Sequence, residues 1–347
     1  MYFKKIAAAI VLTGLVGAGI FSYYIYSVML VPNTNFNSKE AYIFVATNAS
    51  FSEVKADLEP LLKDIESFEV LAKQKKYTNN IKAGRFLISK GMTNNDIINS
   101  IRSRNLPIKI AFNNQHSLVD LATRISSQIE ANNSDLLRVL SDSEFLEANG
   151  FTEENALAMY LPNSYEFFWN TSATTFRSRM LKEYNRFWNE ERLTKTKSIG
   201  LSPLQVMALA AIVHEESKQV SEQDRIAGVY MNRLKDGWPL QADPTLKFAA
   251  YQLPLYSNTV IKRILNKHKA IVSPYNTYMY KGLPPGLIAM PDLSAIDAVL
   301  NHESHSYYYF AANAEKPGFH RFSKTLSGHN KNARAYQFYL NRKGIKK

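Results

Sequence analysis

Residues 202–217 read Ser-Pro-Leu-Gln-Val-Met-Ala-Leu-Ala-Ala-Ile-Val-His-Glu-Glu-Ser. Ser202 suits a helix N-cap, and Pro203 suits the first helical position, where a missing N–H costs nothing. The run from Leu204 to about Ser217 predicts a helix with no charge before His214-Glu215-Glu216. At about 100° per residue, Glu216 shares a face with Leu209, Ile212 and Val213, while Glu215 points toward Ala208 and Ala211. A carboxyl that closes an apolar stripe has two readings. At a solvated helix end it is an ordinary anion. If the stripe is buried, desolvation raises its pKa and it keeps a proton at neutral pH, as a general acid must. Spacing alone leaves both open.

Past this helix, Val229-Tyr230-Met231-Asn232-Arg233-Leu234 continues an amphipathic helix that stops at Asp236-Gly237. Leu240-Gln241-Ala242-Asp243-Pro244-Thr245 is a polar turn in which Asp243 either forms the turn or faces a ligand. Ser273 to Gly286 (SPYNTYMYKGLPPG) is a long Pro/Gly-rich loop dense in aromatic and amide side chains. Tyrosine faces stack on sugar rings, and Asn, Thr and Gln bond to hydroxyl and acetamido groups. The loop therefore has the parts of a carbohydrate site, with an ordinary surface loop as the alternative.

Toward the amino end, residues 115–197 read as mainly helical, with Leu118, Leu121, Ile125 and Ile129 on one face and Phe176, Met180, Tyr184 and Phe187 on another. Pro162 interrupts this region with an extended or turn conformation within Tyr160–Glu166, and Lys195–Gly200 (KTKSIG) reads as a linker. Residues 38–112 mix short β runs (Tyr42–Val45, Arg85–Ile88) with helical stretches opened by Ser50 with Glu53 and by Thr93–Asp96. They predict a small α+β module, a plain spacer being the alternative. Pro32–Ser38 (PNTNFNS) reads as a short polar spacer before it.

Ile6 to Val31 carries no charge, and about 20 apolar residues suffice to span a bilayer core. Lys4 and Lys5 precede the run and no Lys or Arg follows before Lys39, so residues 1–5 are expected to form a cytoplasmic tail and residues from about 35 onward to lie outside the cytoplasm. A cleaved signal would have a shorter apolar region followed by a small-x-small site, whereas Ala7-Ala8-Ala9 stands at the run's start.

The 347 residues hold 42 Lys+Arg against 30 Asp+Glu, a net +12, and two domains are expected of such a length. A 46% hydrophobic and 21% charged composition excludes wholesale disorder. Without Lys4 and Lys5 the exported part is still 40 against 30, or +10. Outside the cytoplasm this charge suits an acidic wall polymer and demotes nucleic acid as partner. There is no cysteine, which excludes disulfides, thiolate metal sites and a thiol nucleophile. With no HExxH spacing either, neither metal nor cofactor is expected.

Taken in order, Ile212–Ser217, Val229–Leu234, Leu240–Thr245, Ser273–Gly286, and Phe319-His320-Arg321-Phe322 with His329-Asn330 resemble the endolytic murein transglycosylases, the membrane-anchored YceG-like lytic transglycosylases. Five blocks in the family's order and approximate spacing through residues 205–340 are more specific than any one of them. The resemblance implies an α+β fold: transmembrane anchor (6–31), LysM-like module (38–112), then a helical connector and catalytic domain (113–347, core about 200–342). It further implies a lyase in the inner membrane, with its catalytic domain periplasmic. That lyase would cut the MurNAc–GlcNAc bond of nascent peptidoglycan to leave 1,6-anhydro ends. Peptidoglycan glycan strands are the implied substrate, and peptidoglycan synthases are candidate partners.

Glu216 matches the family's catalytic glutamate, which precedes a small hydroxyl residue, here Ser217. Asn232, Gln241, Asp243 and Thr245 match positions near the cleft, and Tyr275, Asn276 and Thr277 are the expected substrate contacts. His320 and His329 would either line the cleft or cap local structure. Leu287, Ala289-Met290 and Gly328 depart from the family pattern, which bears on loop contacts and leaves the acid in place. The alternative class is a non-catalytic wall-binding or scaffold protein, and a third is a hydrolase.

Overall fold

The computed structural model describes residues 2–256, 259–261 and 263–343. Two compact units emerge. The first comprises residues 1–110, 128–131 and 165–172; the second comprises 111–127, 132–164 and 173–347.

The first unit begins with α1 (Tyr2–Leu30), long and apolar enough to cross a membrane and exposed along its length except near its end. Then come β1 (Glu40–Val45), α2 (Phe51–Leu58), α3 (Ile65–Gln74), β2 (Gly84–Ser89) and α4 (Asn94–Ser103). β1 and β2 pair antiparallel, from Glu40 opposite Ser89 to Val45 opposite Gly84. The expected helix starts carry capping boxes, Ser50 with Glu53 and Thr93 with Asp96. Val45, Val54, Leu58, Phe68, Phe86, Ile97, Ile98 and Ile101 form the core.

Pro32–Ser38 is not the free spacer its composition suggests. Val28 is buried in the same core, with Met29 and Phe36 packed on it. Asn94 donates to the Val28 carbonyl at 2.9 Å and accepts from Asn33 at 2.7 Å, both inside the protein. Asn33 N–H reaches Met92 O at 2.9 Å, and Lys63 N–H reaches Asn33 O at 2.8 Å. Asparagine side chains here satisfy buried backbone, a use that composition cannot distinguish from solvation.

β3 (Pro107–Phe112) leads into α5 (Leu118–Ser126), α6 (Asn133–Leu140), α7 (Ser143–Ala148), β4 (Asn163–Phe168), α8 (Ala173–Phe187) and α9 (Glu190–Ile199). The expected linker at Lys195–Gly200 is instead the last turn of α9, closed by Gly200 at φ 73° as a left-handed C-cap. The rest of the second unit is α10 (Pro203–Glu216), α11 (Val220–Lys235), α12 (Asp243–Tyr251), α13 (Asn266–Lys269), α14 (Leu293–Leu300), β5 (Tyr309–Ala312), β6 (His320–Ser323) and α15 (Leu326–Arg342).

α10 is the spine of this unit. Ser202 caps it with Gln205 in a capping box, and every residue from Val206 to His214 is buried. α9, α11, α12 and α14 pack around it, which is what a helix apolar on all sides requires. β5 and β6 form an antiparallel hairpin, Phe310 opposite Phe322 and Ala312 opposite His320, with α15 against it. At Gly228 of α11 a Cβ would stand 2.3 Å from Glu303 O, so only glycine lets the segment before β5 approach.

Candidate active site

α10 ends on Glu216, at the wall of a cavity of about 380 Å³. The cavity is also lined by Tyr230 and Arg233 of α11, Gln241 and Asp243 at the start of α12, and Tyr278 of the 273–286 loop. Tyr309 to Ala312 of β5, His320 of β6, and Leu326 and His329 of α15 complete it.

Burial raises the Glu216 pKa to about 7. The Tyr230 hydroxyl donates to Glu216 Oε1 at 2.7 Å and pulls the other way, because a donor favours the carboxylate. The Asp243 charge adds to the rise, while Lys247 and Arg233 oppose it. The buried reading of the Glu216 stripe is thus the one the fold adopts. Its carboxyl holds a proton near neutral pH and faces a space that a ligand can enter. Tyr230 is itself pushed well above the usual phenol range, by burial first and then by Glu216.

Asp243 combines its two readings. It opens α12 ahead of Pro244, and it lines the cavity, where Oδ1 accepts the Tyr278 hydroxyl at 2.6 Å. Gln241 also lines the cavity, from a left-handed backbone at φ 51°, and its N–H bonds Thr277 O at 2.9 Å. For a residue with a Cβ such a backbone costs on the order of 1–3 kcal/mol and persists because its surroundings hold it.

Five residues expected to bind substrate do not line the cavity; they build its walls. Asn232 Nδ2 donates to the carbonyls of His305 and Tyr307, both at 2.9 Å, tying α11 to the approach to β5. Asn276 is fully buried, its Nδ2 on Lys269 O and Ile271 O and its Oδ1 accepting Tyr278 N–H. Thr277 Oγ1 accepts Ala242 N–H at 3.0 Å and meets the buried Thr245 hydroxyl at 2.8 Å. Tyr275 packs on Phe248, ring centroids 4.6 Å apart. The next tyrosine, Tyr278, is the one this loop presents to the cavity.

His320 does line the cavity, and behind it lies Glu222 of α11, 4% exposed. Glu222 Oε1 lies 2.8 Å from His320 Nδ1 and accepts the Ser217 hydroxyl at 2.6 Å. Thus Ser217, directly after Glu216, is bound through Glu222 to β6. His329 stacks on Tyr309, centroids 5.5 Å apart, and burial lowers its pKa. Sequence reasoning gave no role to Tyr230, Arg233, Tyr278 or Glu222. Tyr230 and Arg233 were visible as an i, i+3 pair on one face of α11, but nothing in the sequence aims that face at Glu216. No group of three or more His, Asp or Glu able to hold a metal occurs among the described residues.

An all-round buried helix thus delivers one desolvated carboxyl to a polar, tyrosine-lined cavity, an arrangement that general-acid chemistry can use. The chain matches the YceG-like family over residues 43–335 and belongs to it. It is 28% identical over 333 residues to the endolytic murein transglycosylase of Bacillus subtilis, covering 90% of this chain and 89% of that one. With the endolytic murein transglycosylase of Streptococcus pneumoniae it shares 25% identity over 324 residues, 85% of this chain and 58% of that protein. A crystal structure of a yceG-like protein from Listeria monocytogenes superposes with a TM-score of 0.57 at 26% identity, covering 85% of this chain and 99% of that one.

Proposed function

We propose that this chain is a peptidoglycan lyase: an endolytic lytic transglycosylase that cleaves the MurNAc–GlcNAc bond and leaves a 1,6-anhydro-MurNAc end, terminating strand elongation. The observation that carries this reading is Glu216, a carboxyl whose proton is held to about pH 7 at the wall of the cavity. It protonates the bridging oxygen and then, as carboxylate, takes the proton of the muramic C6 hydroxyl as that oxygen bonds to its own anomeric carbon. No water is activated and no glycosyl-enzyme forms, so no second acid is required for either task. Tyr278 and Tyr309 offer ring faces to pyranose units, and Gln241 and Asp243 offer hydrogen bonds to their hydroxyls.

In the same reading α1 is a single-pass inner-membrane anchor with residues 1–5 cytoplasmic and those from about 35 onward periplasmic, supported by the Lys4-Lys5 flank. The first unit is LysM-like, supported by its β–α–α–β order with antiparallel β1 and β2.

The test uses full-length protein in detergent on murein. Anhydromuramic ends should accumulate, and Glu216→Gln should lower their release by at least about 1,000-fold while the fold is kept. Ordinary reducing ends, heavier by one water, would point to a hydrolase. Bound glycan with no new ends would make the protein a binder.

A further inference from the structure

The cavity around Glu216 contains a second titratable side chain whose orientation is fixed from behind. His320 Nδ1 lies 2.8 Å from the buried Glu222 Oε1, and the His320 backbone N–H donates to Oε2 at 3.0 Å. The Ser217 hydroxyl accepts Gln219 N–H at 3.1 Å, so its own proton points to Glu222. A carboxylate only accepts, and therefore Nδ1 carries the ring proton and Nε2 keeps the lone pair of the neutral imidazole. Among the described residues Nε2 has no protein partner, and His320 lines the cavity. An imidazole held in one tautomer by a carboxylate at its far nitrogen is equipped to accept a proton at the near one.

We propose that His320, oriented by Glu222, takes the proton of the attacking C6 hydroxyl while Glu216 gives its proton to the leaving oxygen. This deepens the transglycosylase reading and rests on it. The C6 oxygen bonds to the anomeric carbon as its hydrogen passes to Nε2. The bond from that carbon to the bridging oxygen breaks, its electron pair staying on the oxygen, which takes the Glu216 proton. The step leaves a carboxylate and an imidazolium in one cavity, and one proton passing from histidine to glutamate through solvent restores both. Glu216 need not deliver and collect a proton within one event.

The outcome shows in the pH profile. The other titratable or charged groups on the cavity wall are Tyr230 and Arg233 from α11, Asp243 from α12, Tyr278 from the loop, Tyr309 from β5 and His329 from α15. With Glu216 as sole proton carrier, release of anhydro ends is flat on the acid side and falls above about pH 7. With His320 as acceptor, full-length enzyme also loses rate on the acid side as the imidazole charges, giving a bell.

His320→Gln should lose about 100-fold in kcat with KM kept within about twofold, and should keep only the alkaline limb. Glu222→Gln should lose about tenfold, its amide no longer fixing the tautomer. A wild-type profile with no acid limb overturns the proposal, as does His320→Gln with wild-type turnover or an unaltered acid limb. Should circular dichroism show His320→Gln unfolded, the wild-type profile decides alone. Full release by Glu216→Gln would instead sink the transglycosylase reading itself.

Discussion

Glu216 stands between opposing influences, burial raising its proton affinity and the Tyr230 hydroxyl lowering it. Unfolded, a glutamate loses its proton near 4.5; in this fold it keeps it to about 7. The folded state therefore disfavours the anion, and stability falls as pH rises from 4.5 to 7, the full cost being present above 7. Glu216→Gln, equal in shape and never charged, should be the more stable protein at pH 8 by on the order of 1–3 kcal/mol, and no more stable than wild type near pH 4.5. Thermal unfolding at the two pH values measures this, and equal midpoints at pH 8 would contradict the burial argument. Tyr230→Phe removes the donor that favours the carboxylate, so the alkaline limb of activity should move up by about one pH unit. An unmoved limb would mean that the 2.7 Å contact carries no weight in solution. Position at the end of an apolar helix left both a solvated and a buried carboxyl open at Glu216, because only the tertiary packing around α10 decides between them. The burial of Asn276 and Thr277 was not legible, because a polar side chain in a loop looks the same whether it faces a ligand or satisfies buried backbone.

Among the elements, helices with explicit caps were the most legible. Ser50, Thr93 and Ser202 mark starts that the fold uses, because an N-cap is a local hydrogen bond needing no tertiary partner. Segments whose role depends on neighbours were not. The last turn of α9 is polar and read as linker, and residues 32–38 read as spacer although they are knit into the first unit. This junction gives an element-scale prediction. A chain beginning at residue 24 keeps Val28, Met29 and Asn33, whereas one beginning at 35 loses the burial of two apolar side chains and the Asn33 bonds. The shorter chain should be less stable by about 3–6 kcal/mol, read as a lower denaturant midpoint for the first unit. Equal midpoints would show that the junction contributes nothing.

Over the whole molecule, length gives an expectation of two domains, and the +10 beyond α1 follows from composition. Neither says which residues meet at the cavity, whose wall draws on segments from Glu216 to His329, brought together by α11 and α12 packing on α10, by α15 packing on the β5–β6 hairpin, and by the Asn232 and Arg233 bonds to residues 305–308. Asn33 and Asn94, gripping the end of α1 from inside the first unit, carry one more implication. If α1 is an anchor, the first unit is bolted to it rather than leashed. Its height above the bilayer is then a dimension of the fold, and residues inserted near Asn33 would loosen the bolt instead of lengthening the reach.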